Sequence, residues 1–161
     1  MEIEFIIPTN PRPKKNNPRI MWKKSDKPFQ IKFGNFVGAT INYRPLIVPS
    51  SSNEEFENEA LPILRRIRDE IGVIDFPCNI QAIYYRDTKH KIDLTNLHEA
   101  LHDAMVKSNL LLDDNRDLIA GTDGSRVYYD KSAPRIEVKI VEMQDYTQWN
   151  DTVSKQQKLG I

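Results

Sequence analysis

Four prolines fall between positions 8 and 18, in the run PTNPRPKKNNP. Each holds φ near −65° and removes a backbone donor, so neither a regular helix nor a central strand can form there. Any fold of this chain must accommodate an irregular excursion directly after its first strand. That strand is legible as EIEFII, residues 2–7, which alternates, turns apolar and stops at Pro8. Residues 9–27, rich in Pro, Asn, Lys and Arg, read as a long basic loop or arm.

The arm belongs to an uneven charge pattern. The whole chain balances 23 Lys and Arg against 23 Asp and Glu. Within residues 1–45, nine basic residues face three acids, a local excess of +6. Within residues 93–123, two basic residues face seven acids, a local excess of −5. Clusters of like charge repel, and a polyanion would relieve the first and a metal cation the second. Two solvated surfaces would account for the same pattern.

With 161 residues and 39% hydrophobic side chains, the chain suits one compact domain with a real core. A single cysteine, Cys78, excludes an internal disulfide framework and a cysteine-rich zinc site. The sequence shows neither a signal-like leader nor an apolar run of ~20 residues, so a cytoplasmic location is expected.

Further along, residues 28–48 read as irregular extended structure or a hairpin. In residues 50–72, Ser52 and Glu55 have capping-box spacing. Phe56, Ala60, Leu64, Ile67 and Ile71 form one helical stripe that ends at Gly72. Pro62 predicts a kink or a second segment within it. Arg65, Arg66 and Arg68 lie off the stripe, as a solvated face or a further contact to nucleic acid. CNIQAIYYR predicts a strand with Ile80, Ala82 and Tyr84 on one face. A helix follows from Asn96 to about Ser108, with Leu97, Leu101, Ala104 and Met105 inward. Two strands come next, around Leu118–Ala120 and Ile136–Val141, and GTDGSR between them carries a hairpin signal. The last 18 residues, 144–161, form a polar tail. The expected fold is α+β, a small mixed β-sheet packed with helices in the order β, arm, α, β, α, β, β.

The stretch that could carry chemistry is KIDLTNLHEALHDAMVKSNLLLDDN, residues 91–115. Asp93 stands before the helix, and Asp113 and Asp114 stand after it. Asp93 and Asn96 suit helix capping, and Asp-Asp-Asn suits a turn. The same carboxylates suit a metal site. A helix of roughly 13 residues is about 20 Å long, so its two ends approach only if residues 109–112 run back along it. Converging carboxylates need a cation, and Mg²⁺ or Mn²⁺ is the natural choice for oxygen ligands. His98 and His102, spaced i, i+4, lack a third ligand pattern and read as exposed helix positions. Trp22 and Phe29 read as an aromatic plug under a loop, or as stackers on exposed bases.

DLTNLHEALHDAM followed by LLDDN resembles the RusA family of Holliday junction resolvases. Their motif runs Asp-x-Asp-Asn-x-x-Lys-Ala-x-x-Asp-Ala-Leu and ends, after a spacer, in Asp-Asp. Asp93, Asn96, Ala100, Asp103, Ala104 and the pair Asp113–Asp114 match it. PTNPRPKKNN is similar to the family's early basic loop, and the resemblance covers most of residues 1–143. It implies a homodimeric, Mg²⁺-dependent endonuclease of bacteria or phages that nicks branched DNA in recombination and repair. Asp93 and Asp114, with Asp113 adjacent, would be its catalytic and metal-binding carboxylates. Arg12, Lys14, Lys15, Arg19, Arg126 and Lys131 would contact DNA. Two positions depart from the motif: Thr95 replaces its second aspartate and Glu99 its lysine. They lie one helical turn apart on one face, so the carboxylate has moved to Glu99 or the protein binds junctions without cutting. Lys14, Lys15, Arg126 and Lys131 are candidates for the displaced cation, and Asp103 for a supporting role.

Overall fold

The computed structural model describes residues 1–14, 19–33, 36–48 and 51–144. The tail beyond residue 144 and Lys15 lie outside the described residues. Elements follow in the order β1 (Glu2–Ile7), β2 (Arg19–Phe33), β3 (Phe36–Val48), α1 (Ser51–Ile71), β4 (Cys78–Arg86), α2 (Leu94–Lys107), β5 (Ile119–Gly121), β6 (Arg126–Tyr129) and β7 (Arg135–Glu142). The α+β class and the mixed sheet are as expected.

The main sheet is centred on β7 and β4, which pair antiparallel from Cys78↔Glu142 to Tyr85↔Arg135. β1 joins the outer edge of β7, also antiparallel. The other edge of β4 carries β5 near its start and β6 near its end, both parallel. Alternation along the central strands decides which face is covered. Cys78, Ile80, Ala82 and Tyr84 of β4 and Ile136, Val138 and Ile140 of β7 are buried. They pack with Phe56, Ala60 and Leu64 of α1 and Leu97, Leu101, Ala104 and Met105 of α2 in one core. Each large side chain buried there contributes ~2 kcal/mol. Cys78 is a buried thiol, pushed up to about 11 by desolvation.

Helix α1 runs through Pro62 as one element. Pro62 is exposed and so is Asn58, whose carbonyl loses its helical donor, so water satisfies that group at little cost. Ser52 lies inside the first turn rather than before it. Gly72, at φ +85°, closes the helix, its N–H donating to the Arg68 carbonyl at 2.8 Å.

Two expectations need correction. Residues 19–27 are not a loop but the first half of β2, which pairs antiparallel with β3 as a separate two-stranded sheet. Pro28 falls in the register irregularity between Lys24 and Phe29, and Pro45 is tolerated because a two-stranded ribbon has two free edges where no ladder donor is needed. The GTDGSR segment makes no hairpin: the strands on either side of it both pair with β4, end to end along one edge. Here side chains stand in for the ladder. Asn79 Oδ1 accepts the Asp123 N–H at 2.7 Å, and Gln81 Nε2 donates to the Gly124 carbonyl at 3.1 Å. Gly124 has φ +85°, and a Cβ there would come within 2.7 Å of Gln81 Nε2.

None of the described helices is long and apolar enough to cross a membrane.

Candidate active site

Helix α2 starts two residues earlier than its periodicity predicts, so Asp93 becomes its N-cap. Its backbone is extended (φ −81°, ψ 127°), yet its carboxylate makes no cap hydrogen bond. Oδ2 instead accepts from Asn96 Nδ2 at 3.3 Å. The carboxylate is exposed and borders an open cleft of about 700 Å³ lined by Arg86, His90, Lys91, Ile92 and Asn96.

At the other end of α2 the chain reverses through Asn109, the only described non-glycine residue with positive φ, at 59°. The N–H groups of Leu110 and Leu111 donate back to the Met105 carbonyl at 3.0 and 3.2 Å. Leu110 and Leu111 are buried, and a parallel bridge ties Leu111 to Ile74. The chain thus turns back over the last turn of α2 and then follows Ile74, and Asp113 and Asp114 stand exposed beyond it. Asp113 is consumed by the turn there. Its Oδ1 accepts the Asp114 N–H and its Oδ2 the Asn115 amide, each at 2.8 Å. Asp114 carries no such local role.

The cation that reaches α2 is Lys14 of the N-terminal arm. The arm lies across both helices. Thr9 donates to Glu59 of α1, and Arg12 pairs with Glu55 at 3.1 Å. The Lys14 N–H donates to the Asn96 carbonyl at 3.4 Å, and its ammonium forms an ion pair with Asp103 of α2. Lys14 is held above the ordinary lysine range, first by the hydrogen bond to Asp103, with desolvation opposing. The fields of Asp103, Glu99 and Asp114 add to the rise. One ammonium thus draws on carboxylates from the middle of α2 and from the turn beyond it.

The remaining sequence-predicted residues are dispersed. Thr95 is exposed one turn before Glu99, which is half-buried. Arg126 is exposed on β6 and donates to the Ser125 carbonyl at 3.0 Å, while Lys131 is exposed in the turn before β7. Arg19 opens β2, and its side chain lies outside the described residues.

His98 and His102 were expected on the surface and are buried, at 8% and 9% exposure. Their rings stack with centroids 5.3 Å apart, and His98 Nδ1 meets the Tyr84 hydroxyl at 3.0 Å. Burial holds His98 below its usual range. His102 is pushed down to about 4 by burial and then by His98, against the pull of Asp103. The pair belongs to the flank of the core stripe, beside Leu97, Leu101 and Met105.

Sequence reading also missed Arg86 and Lys91. Arg86 stands at the carboxyl end of β4, and its Nη1 donates to the His90 carbonyl at 2.9 Å. Desolvation lowers its pKa, with Asp87 opposing. The usable signal was position, because the carboxyl ends of parallel strands are where α/β sheets collect ligands.

Among the described residues, no three His, Cys, Asp or Glu side chains are grouped as a metal cluster. Carboxylate oxygens are the donor type that hard divalent cations take. Asp93, Glu99 and Asp114 offer oxygen ligands only, and two of them already act on one cationic group. Comparison with models of protein families finds no match for this chain, and comparison with curated proteins finds none.

Proposed function

We propose that this protein is a RusA-type, Mg²⁺-dependent endodeoxyribonuclease that cuts four-way and other branched DNA in recombination and repair, acting as a homodimer. The observation that supports this reading is the arm's Lys14, which pairs with Asp103 of α2 and lies within the fields of Glu99 and Asp114. Like-charged carboxylates drawn from two chain segments repel one another, and such an arrangement is costly unless a cation is part of its function. Asp93, Glu99 and Asp114 would hold Mg²⁺, or Mn²⁺ in its place. Held there, such an ion would supply a route to activate water and to stabilise charge on the scissile phosphate.

The chain's own residues do the positioning. Asn96 steers the Asp93 carboxylate, and Asp113 braces the turn that presents Asp114. Arg86 and Lys91 line the cleft beside Asp93, where flanking phosphates would meet positive charge. Lys14 supplies the cation that the family motif takes from its lysine, from the arm rather than from the helix. Two-fold symmetry suits a four-way junction, because each subunit would address an opposite strand.

One observation favours a second reading. Lys14 already neutralises Asp103, so the same cluster could serve a protein that binds junctions without cutting them. A synthetic four-way junction incubated in Mg²⁺ and in EDTA separates the two. Nicking in Mg²⁺ alone supports the nuclease. Asp114→Asn and Glu99→Gln should each lower that rate on the order of a hundredfold or more. Wild-type rates in Asp114→Asn would sink the site, and in Glu99→Gln would sink the relocated carboxylate.

A further inference from the structure

The β2–β3 hairpin carries its own chemistry. Register places Ile20 opposite Ile47, Trp22 opposite Pro45 and Lys24 opposite Tyr43 on one face. Met21 opposite Leu46 and Lys23 opposite Arg44 occupy the other. A core would cover one of these faces, yet Trp22 is 63% exposed, Tyr43 51% and Ile47 79%. Lys23 and Arg44 form a directly opposed pair of like charges, which weakens a ribbon unless an anion lies against it. Lys23, Lys24, Lys27 and Arg44 face a single described acid, Asp26, and these five with Ser25 line a concavity of about 260 Å³. Ser25 shapes its floor, donating to the Lys27 carbonyl at 2.7 Å.

A second copy of the chain is a poor occupant, because it would set this cationic ribbon against itself. A duplex offers phosphates but no aromatic partner, since its bases are stacked inside. Unpaired DNA offers both. We infer that the β2–β3 hairpin is a second DNA contact: Trp22 and Tyr43 stack on unpaired bases, and Lys24 on the same face takes an adjoining phosphate. Lys23, Lys27 and Arg44, which line the concavity with Lys24, hold the backbone where the strand passes round to the other face. Trp22 and Tyr43 are diagonal neighbours on one face, about 7 Å apart at Cβ, which lets them receive two bases of one strand. The inference rests on the DNA reading above and extends it to a surface that holds none of the proposed catalytic residues.

The test uses the full chain in EDTA, so that cutting plays no part. Fluorescence anisotropy gives affinities for an oligothymidine of about 20 nucleotides and for a duplex of similar length. Trp22→Ala should bind the single strand about tenfold more weakly and the duplex within about twofold of wild type. Trp22→Phe keeps a stacking ring and should retain most of the single-strand affinity, which separates lost stacking from misfolding. Lys23→Gln with Arg44→Gln should weaken both ligands and flatten the salt dependence on the single strand by roughly 1.4. Three results overturn the inference. Trp22→Ala binds the single strand as wild type does, loses both ligands equally, or dissociates a dimer with DNA affinity intact. If the wild-type chain binds neither DNA, the DNA reading itself falls. If it binds both and Trp22→Ala changes nothing, only the hairpin assignment falls.

Discussion

The body of the protein and its hairpin solve opposite problems with similar residues. In the body, Leu97, Leu101 and Met105 are buried, and the cations of the arm are met by Glu55 and Asp103. In the hairpin, Ile20, Met21, Trp22 and Ile47 face water, and Lys23 is set across from Arg44. The body has a continuous buried core, and its stability should follow packing. The hairpin has no such core over its described faces, and the DNA contact inferred above would cover one of them. Conflict within a structure is thus a pointer to function where agreement is a pointer to folding.

This contrast can be broken by measurement. The largest effect should come from Leu101→Ala, which empties a fully buried position between helix and sheet. Urea unfolding should show a loss of about 3 to 4 kcal/mol. A cost below about 1 kcal/mol would mean that α2 is not packed as described.

Acid should come next. The His102 pKa lies near 4 when folded, below the ordinary histidine value of 6.5. The unfolded chain therefore takes up the proton first. Stability is fully present above about pH 6.5, declines as pH falls and is spent near pH 4. The loss should be on the order of 2–3 kcal/mol, with His98 adding in the same direction. Tyr84 and Asp103 are the other titratable groups acting on the pair, and only Asp103 favours the charged form. His102→Gln should flatten the profile over that window, and an unchanged slope would remove His102 as its source.

Lys14→Gln tests the junction between arm and helix. The ion pair is partly exposed, at 45% for the Lys14 side chain and 20% for Asp103. Its contribution should be about 1 kcal/mol or less, and smaller still in high salt. A large, salt-independent loss would show that the arm supports the body. The smallest effect is expected in the hairpin, where Ile47→Ala should change unfolding by no more than about 0.5 kcal/mol. A loss above about 2 kcal/mol would mean that this residue is covered after all, and the comparison would fail.

The periodic parts of this fold are legible in the sequence. The stripe of α1, the alternation of β4 and the core face of α2 follow from spacing alone, because burial imposes a period on apolar residues. The hairpin is half legible: residues 28–48 read as extended structure or a hairpin, while residues 19–27 hide because lysines break the period and a ribbon with no core imposes none. His98 and His102 hide for a different reason. The buried face of α2 is wider than its Leu, Ala and Met residues mark, and it admits two neutral imidazoles at its flank. Asp93 and Asp114 are legible as candidates through the motif they resemble. The role of Lys14 is not, since nothing within PKKNN says which lysine crosses to Asp103. Pro11 and Pro13 on either side of Arg12 are buried, a burial that proline content alone does not announce.

The interrupted edge of the main sheet has a consequence for life at high concentration. An exposed edge strand is a template on which another chain can build, and long flat edges invite runaway association. Here the strand beside β4 is offered as pieces of three and four residues, β5 and β6. Between them a loop is held down by Asn79 and Gln81. An incoming strand would meet a row of donors and acceptors that stops before pairing gains strength. The edge therefore discourages aggregation without a covering helix.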